Sequence, residues 1–146
     1  MSGEPFLILL VEDDPAHAEI VKRNLEDFRV ANRLVRVPDG QEALDYLRHE
    51  GRYRDALAHP RPGLVLLDLR LPKVDGLEVL RIVKSDPGLG SIPIVILTTS
   101  DAESDMAKAY AFQANSYLVK PVDLRNFTAL MEAFGFYWLA WNKFPF

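Results

Sequence analysis

Leu64-Val-Leu-Leu-Asp68-Leu-Arg-Leu-Pro72-Lys-Val-Asp75-Gly76 is the stretch whose reading decides the fold. Four consecutive apolar residues with no polar alternation suit a strand buried on both faces, which predicts a central place in a parallel sheet. The run then stops at a single carboxylate. A side chain closing such a strand sits at the C-terminal edge of the sheet, where open α/β sheets bind ligands because strand ends and loops form a crevice there. Pro72 biases Leu71 toward extended backbone, while Asp75 with Glu78 three residues on reads as an N-cap and its reciprocal partner. The expected loop is short, stiff and exposed, with Asp68 at its root.

Outward from this stretch the same pattern recurs. Phe6-Leu-Ile-Leu-Leu-Val11 is a second wholly apolar run, and it too ends in acid, at Glu12-Asp13-Asp14. Asp14 suits an N-cap and Pro15 the first helical turn, after which Ala18, Val21, Leu25 and Phe28 recur at helical spacing. Leu34–Val37 is a shorter strand closed by Pro38-Asp39-Gly40, and Ala43, Leu44 and Leu47 mark the next helix. Glu50 to Pro62 forms a long, basic-leaning connection of a length that is often functional or mobile. A helix is predicted from about Gly76 to Lys84, stopped by Asp86-Pro87-Gly88. Ile92–Leu97 is the next apolar strand and runs into Thr98, and Ser100 with Glu103 suggests a capping box for a helix to about Phe112. Ser116–Val119 leads into Lys120-Pro121, and Asp123 caps a last helix.

The order is strand then helix five times over, so one doubly wound α/β domain with a parallel sheet between helices is the economical architecture. In a flavodoxin-like strand order of 2-1-3-4-5, the acidic turn after the first strand and Asp68 after the third meet at the switch point. At 146 residues the whole chain reads as a single domain. A net charge of −4 argues against a nucleic-acid partner. The absence of cysteine excludes thiol chemistry and Cys-ligated zinc and suits a reducing compartment. The first apolar run is too short for a signal core or membrane span, so a cytoplasmic protein without membrane attachment is expected.

Glu12, Asp13 and Asp68 converging at one edge would repel by roughly 3 kcal/mol per pair at about 5 Å and an effective dielectric near 20. A divalent cation answers that need. All-oxygen donors with room for water favour Mg²⁺ over zinc or copper. Thr98 and Lys120, at the ends of the fourth and fifth strands, add a hydroxyl and an ammonium. Such a set is suited to receive a phosphoryl group, with Asp68 attacking phosphorus.

Leu10-Val-Glu12-Asp13-Asp14, Leu66-Leu-Asp68-Leu-Arg-Leu-Pro72 with Asp75-Gly76, Ile96-Leu-Thr98-Thr99 and Tyr117-Leu-Val-Lys120-Pro121 together resemble the receiver domains of two-component response regulators. The likeness covers residues 6 to about 130. It implies that a sensor histidine kinase phosphorylates Asp68, that Asp13, Asp68 and the Arg70 backbone carbonyl bind Mg²⁺, and that Glu12 acts through water. It further implies that Thr98 and Lys120 contact the phosphoryl group and that Thr98 and Tyr117 form a conformational switch. Thr99 and Gln113 depart from the family's habit of a smaller residue and a glycine. Arg70 and Ser100 stand where receivers tune the lifetime of the phosphoryl group.

Eight of the fifteen aromatic residues fall among the last twenty positions. Phe127, Leu130, Met131, Phe134, Trp138 and Trp141 share one helical face that could cover the sheet, while Phe136 lies roughly opposite. The surplus suggests a homodimer built on residues from about 124 to 146, with Phe136, Tyr137, Trp138, Trp141 and Phe144 as interface candidates. No output domain is expected after the receiver pattern, and the chain resembles the small stand-alone regulators of bacterial and cyanobacterial phytochromes, which makes a phytochrome a candidate kinase. No multiple-turnover enzyme activity is expected. An Mg²⁺-dependent phosphohydrolase is the rival, disfavoured because Arg70 stands where such enzymes commonly carry a second carboxylate. A docking-only pseudo-receiver is disfavoured because no reactive position is missing.

Overall fold

A computed structural model describes residues 6–26, 32–135 and 137. Five strands, β1 (Phe6–Val11), β2 (Asn32–Val37), β3 (Leu64–Leu67), β4 (Ile94–Thr98) and β5 (Ser116–Val119), form one sheet in the order β2-β1-β3-β4-β5. Every neighbouring pair is parallel. Five helices connect and follow the strands: α1 (Pro15–Glu26), α2 (Gly40–Arg48), α3 (Gly76–Ser85), α4 (Glu103–Ala111) and α5 (Leu124–Gly135). The expected doubly wound architecture and strand order are therefore present.

The alternation of side chains along a strand divides the apolar runs between two cores. Leu7, Leu9, Val11, Val65, Leu67, Ile94 and Ile96 face one way and pack with α2 and α3 residues such as Leu44, Leu47, Leu80 and Val83. Ile8, Leu10, Leu64, Leu66, Val95 and Leu97 face the other way, against Ala18, Val21 and Leu25 of α1 and Phe127, Met131 and Phe134 of α5. Each buried aliphatic side chain contributes on the order of 1.5–3 kcal/mol. This is why β1, β3 and β4 carry no polar residue before their last position.

Several local expectations change. β4 begins at Ile94 rather than Ile92, because Pro93 has no N–H to give to the ladder and offers only its carbonyl, 2.9 Å from Val65 N. Asp75 caps α3 by accepting from Leu77 N at 3.2 Å, but Glu78 turns instead to Arg81 one turn on, at 3.0 Å from Nη2. The Ser100–Glu103 capping box does not form. The residue before α4 is Ala102, without a side-chain cap, and the Ser100 hydroxyl donates to Asp105 Oδ2 at 2.6 Å.

The long connection before β3 is packed rather than loose. A 3₁₀ turn at Gly51–Tyr53 buries Tyr53, whose hydroxyl donates to Glu42 Oε1 at 2.6 Å. Tyr46 donates to the Pro60 carbonyl at 2.8 Å, and the rings of Tyr46, Tyr53 and His59 meet edge to face at 5.0–5.8 Å. No described helix is long and apolar enough to cross a membrane.

Candidate functional site

The strand alternation that builds the second core also aims its last members. Glu12 continues Ile8 and Leu10, Asp68 continues Leu64 and Leu66, and Lys120 continues Leu118, so all three lie on the α1/α5 side of the C-terminal edge. The ladder carries on past the strand ends to hold them: Glu12 N donates to Val37 O at 3.1 Å, Asp68 N to Val11 O at 3.1 Å, and Lys120 N to Thr98 O at 2.7 Å. Rigid backbone thus reaches the base of each of these charged side chains.

Lys120 is 4% exposed and its ammonium is ion-paired with both Glu12 and Asp68, lying 3.1 Å from Asp68 Oδ2. Glu12, Asp13 and Asp68 each present an oxygen within 4.8 Å of the others'. Glu12 and Asp68 are buried while Asp13 is exposed, so the cluster opens to water on one side. Three carboxylates against one ammonium leave a formal charge of −2. Burial pushes the Glu12 carboxyl up to about 7, with the Lys120 hydrogen bond and charge pulling it down and the Asp68 charge raising it further. An all-oxygen set of this charge and spacing fits a hard divalent cation, with Asp13 and Asp68 as the residues best able to hold it.

The backbone beneath Asp68 is braced. Gly76 N donates to Leu69 O at 2.9 Å, and a Cβ on Gly76 would sit 2.2 Å from the Asp68 carbonyl oxygen. Gly40 makes the same close approach from α2: a Cβ there would lie 2.0 Å from Val74 O. Arg70 N donates to Asp68 Oδ1 at 3.3 Å, which orients the carboxylate. Two glycines therefore let α2 and α3 press directly on the loop that follows Asp68.

Thr98 and Tyr117 belong to the opposite side of the sheet. Thr98 is fully buried at the end of β4, and its Oγ1 accepts from Ser100 N at 3.4 Å. Tyr117 packs against the first core and donates its hydroxyl to the Ser100 carbonyl at 2.9 Å. Asp105, which the sequence reading passed over, accepts from Arg70 Nη2 at 2.8 Å and from Ser100 Oγ. Tyr117, Ser100, Asp105 and Arg70 thus form one chain of contacts from β5 to the Asp68 loop. The readable signal was a second acid in the first turn of α4. His17, which as a scattered histidine reads from the sequence as a solvated or packed side chain with no metal or catalytic role, places its Nδ1 3.0 Å from Lys120 Nζ. Of the aromatic tail, Tyr137 is described and half exposed, whereas Phe136, Trp138, Trp141 and Phe144 lie outside the described residues.

An open parallel sheet gathers three carboxylates and a lysine at its switch point, a set whose oxygens lie close enough to share a cation beside a buried acid. Residues 8–132 match the family of response regulator receiver domains, and the chain belongs to that family. It is 47% identical over 143 residues to a probable methanogenesis regulatory protein, FilR2, of Methanothrix harundinacea, covering 97% of this chain and 89% of that one. With response regulator Rcp1 of Synechocystis it shares 39% identity over 144 residues, covering 99% and 96% of the two chains. The Mn²⁺-bound crystal structure of Rcp1 superposes with a TM-score of 0.93 at 38% identity, covering 97% of this chain and all of that one. The phosphorylated cyanobacterial phytochrome response regulator RcpA gives 0.92 at 40% identity, covering 98% and 100%.

Proposed function

We propose that this receiver takes a phosphoryl group from the phosphohistidine of a sensor kinase onto Asp68. The contact between Lys120 and the Asp68 carboxylate, inside a cluster of three acids, is the observation that carries the reading. An Asp68 oxygen attacks phosphorus, the P–N bond to the kinase imidazole breaks, and the imidazole leaves with the electron pair. Lys120 turns its ammonium toward a phosphoryl oxygen, and Arg70 N–H keeps the attacking carboxylate in place. Asp13, Asp68 and the Arg70 carbonyl would hold Mg²⁺, with Glu12 acting through water. The ion would neutralise the charge that accumulates on the transferring group. The Mn²⁺-bound form of Rcp1 supports a divalent ion at this kind of site.

Thr98 would follow the phosphoryl oxygens and draw the β4–α4 loop with it, releasing the Tyr117 hydroxyl from Ser100 so that the ring turns inward. Such a switch is a population shift. Moving from about 1% to 99% active takes about 5.5 kcal/mol, more than one phosphoryl group's few new charge-assisted contacts supply, so partial activation is expected.

A phytochrome is the candidate kinase, supported by the likeness to RcpA, and the protein is expected to act in the cytoplasm without nucleic acid. The surface of β5 and α5 supports a homodimer. Val122 and Leu124 are exposed, and Ser116, Leu118, Leu130, Ala133, Phe134 and Tyr137 line a groove of about 300 Å³. A phosphohydrolase fits less well, because the Arg70 guanidinium two residues after Asp68 is engaged by Asp105 and offers no general base. The protein is thus read as a signalling switch and not a turnover enzyme.

Intact mass after incubation with Mg²⁺ and acetyl phosphate tests the assignment. Wild type should gain one phosphoryl group and Asp68→Asn none; an equal gain in both would overturn it.

A further inference from the structure

Lys120 has a third contact that phosphoryl acceptance as described leaves without a task. Nδ1 of His17, in the first turns of α1, lies 3.0 Å from its Nζ. An ammonium offers only donors, so Nδ1 presents its lone pair and the ring proton sits on Nε2. Nε2 points toward Asp14 Oδ2, 3.6 Å away and beyond hydrogen-bond distance, an acidic neighbour compatible with this tautomer. Phe127 of α5 packs against the ring with centroids 5.5 Å apart, and the backbone beneath it is fixed where His17 N donates to Asp14 Oδ1 at 3.3 Å.

Glu12, Asp68 and His17 together use the three protons of the ammonium. His17 differs from the other two in kind: it is the acceptor that carries no negative charge and has no part in holding a cation. Once a metal ion and phosphoryl oxygens draw on Glu12 and Asp68, the bond from His17 is the one that stays as it was. Without it the ammonium would be free to swing toward Glu12 and away from the attacking oxygen, and one proton of the buried Lys120 would lose its acceptor.

We propose that His17 is a positioning residue for phosphotransfer: by accepting from Lys120 on Nδ1, it keeps the ammonium aimed at the Asp68 carboxylate while the phosphoryl group is transferred. The inference rests on Asp68 being the acceptor.

The test compares wild type, His17→Leu and His17→Asn in Mg²⁺, following phosphorylated protein by intact mass over time at increasing acetyl phosphate. Leucine keeps bulk against Phe127 but has no acceptor, whereas the asparagine amide oxygen can occupy the place of Nδ1. His17→Leu should lower the maximal rate about tenfold with little change in the half-saturating donor concentration, and His17→Asn should restore most of it. In the metal-free protein, imidazole ¹⁵N shifts should report the Nε2–H tautomer, and Lys120→Met should move the Nδ1 resonance. A His17→Leu rate equal to wild type, an asparagine variant no better than leucine, or an Nδ1–H tautomer would each overturn the proposal while Asp68 remained the acceptor. Equal mass gain in wild type and Asp68→Asn, or none in wild type, would overturn the acceptor assignment and this proposal with it.

Discussion

Glu12 shows how burial and charge compete at a single residue. Burial pushes its carboxyl up to about 7 in the fold from 4.5 when free, so between those values folding takes up a proton. The stability this group contributes is complete below about pH 4.5 and is lost as pH rises through 7. Urea unfolding in EDTA at several pH values should therefore show wild type losing more stability between pH 5 and pH 8 than Glu12→Gln does. Divalent-ion binding should run the other way, weakening on acidification through 7 as Glu12 becomes neutral, which calorimetry at pH 6 and pH 8 would register. Glu12, Asp68 and Lys120 could be picked out from the chain alone because each is the first charged residue after an apolar strand, and strand alternation then dictates a common side. His17 could not. A lone histidine in a helical turn has no pattern of its own, and its role appears only when α1 is laid beside the end of β5.

At the level of elements, the sequence located all five strands and all five helices but misread details that depend on competition between partners. Ser100 had two acids within reach, and Asp105, already anchored by Arg70, took its hydroxyl from Glu103. The closing turn of α4 is a case where a departure in sequence has a structural cost. Gln113 adopts φ = 71° while its N–H reaches Tyr110 O and Ala114 N reaches Ala109 O, the paired bonds that end a helix through a left-handed residue. Gln113→Gly should stabilise the fold by about 0.5–1 kcal/mol in urea unfolding, since glycine meets no Cβ penalty there. Gly76→Ala should do the opposite. Its Cβ would meet the Asp68 carbonyl at 2.2 Å and Leu69 Cα at 2.6 Å, both backbone atoms that cannot swing aside. A loss of about 2–4 kcal/mol is expected, together with slower phosphorylation because the acid's own peptide must shift.

For the whole molecule, the two sides of the sheet have separate tasks. The α1/α5 side holds acids and lysine, and the other side carries Thr98 and Tyr117, with the contacts from Arg70 through Asp105 and Ser100 to Tyr117 joining the two at the C-terminal edge. The same α5 lies beside exposed Val122 and Leu124, at 106% and 65% exposure, where the proposed dimer would bury them. A Val122→Asp, Leu124→Asp double variant should sediment at half the wild-type mass at micromolar concentration; equal masses would remove this surface from the interface. Composition hinted at association through its aromatic crowding, yet which of those rings are used depends on packing that periodicity cannot rank. The packed connection before β3 has a practical consequence. It enters the sheet at the edge opposite Asp68, and its tip, Leu57, is 95% exposed while Asp55 Oδ1 accepts from the backbone N–H groups of Leu57 and Ala58 at 3.1 and 3.4 Å. In a chain with no native thiol, a cysteine placed at Leu57 gives a single attachment point for a fluorophore or a surface tether, rigidly mounted and remote from the chemistry. A reporter there would test the proposed kinase binding without touching Asp68 or its neighbours.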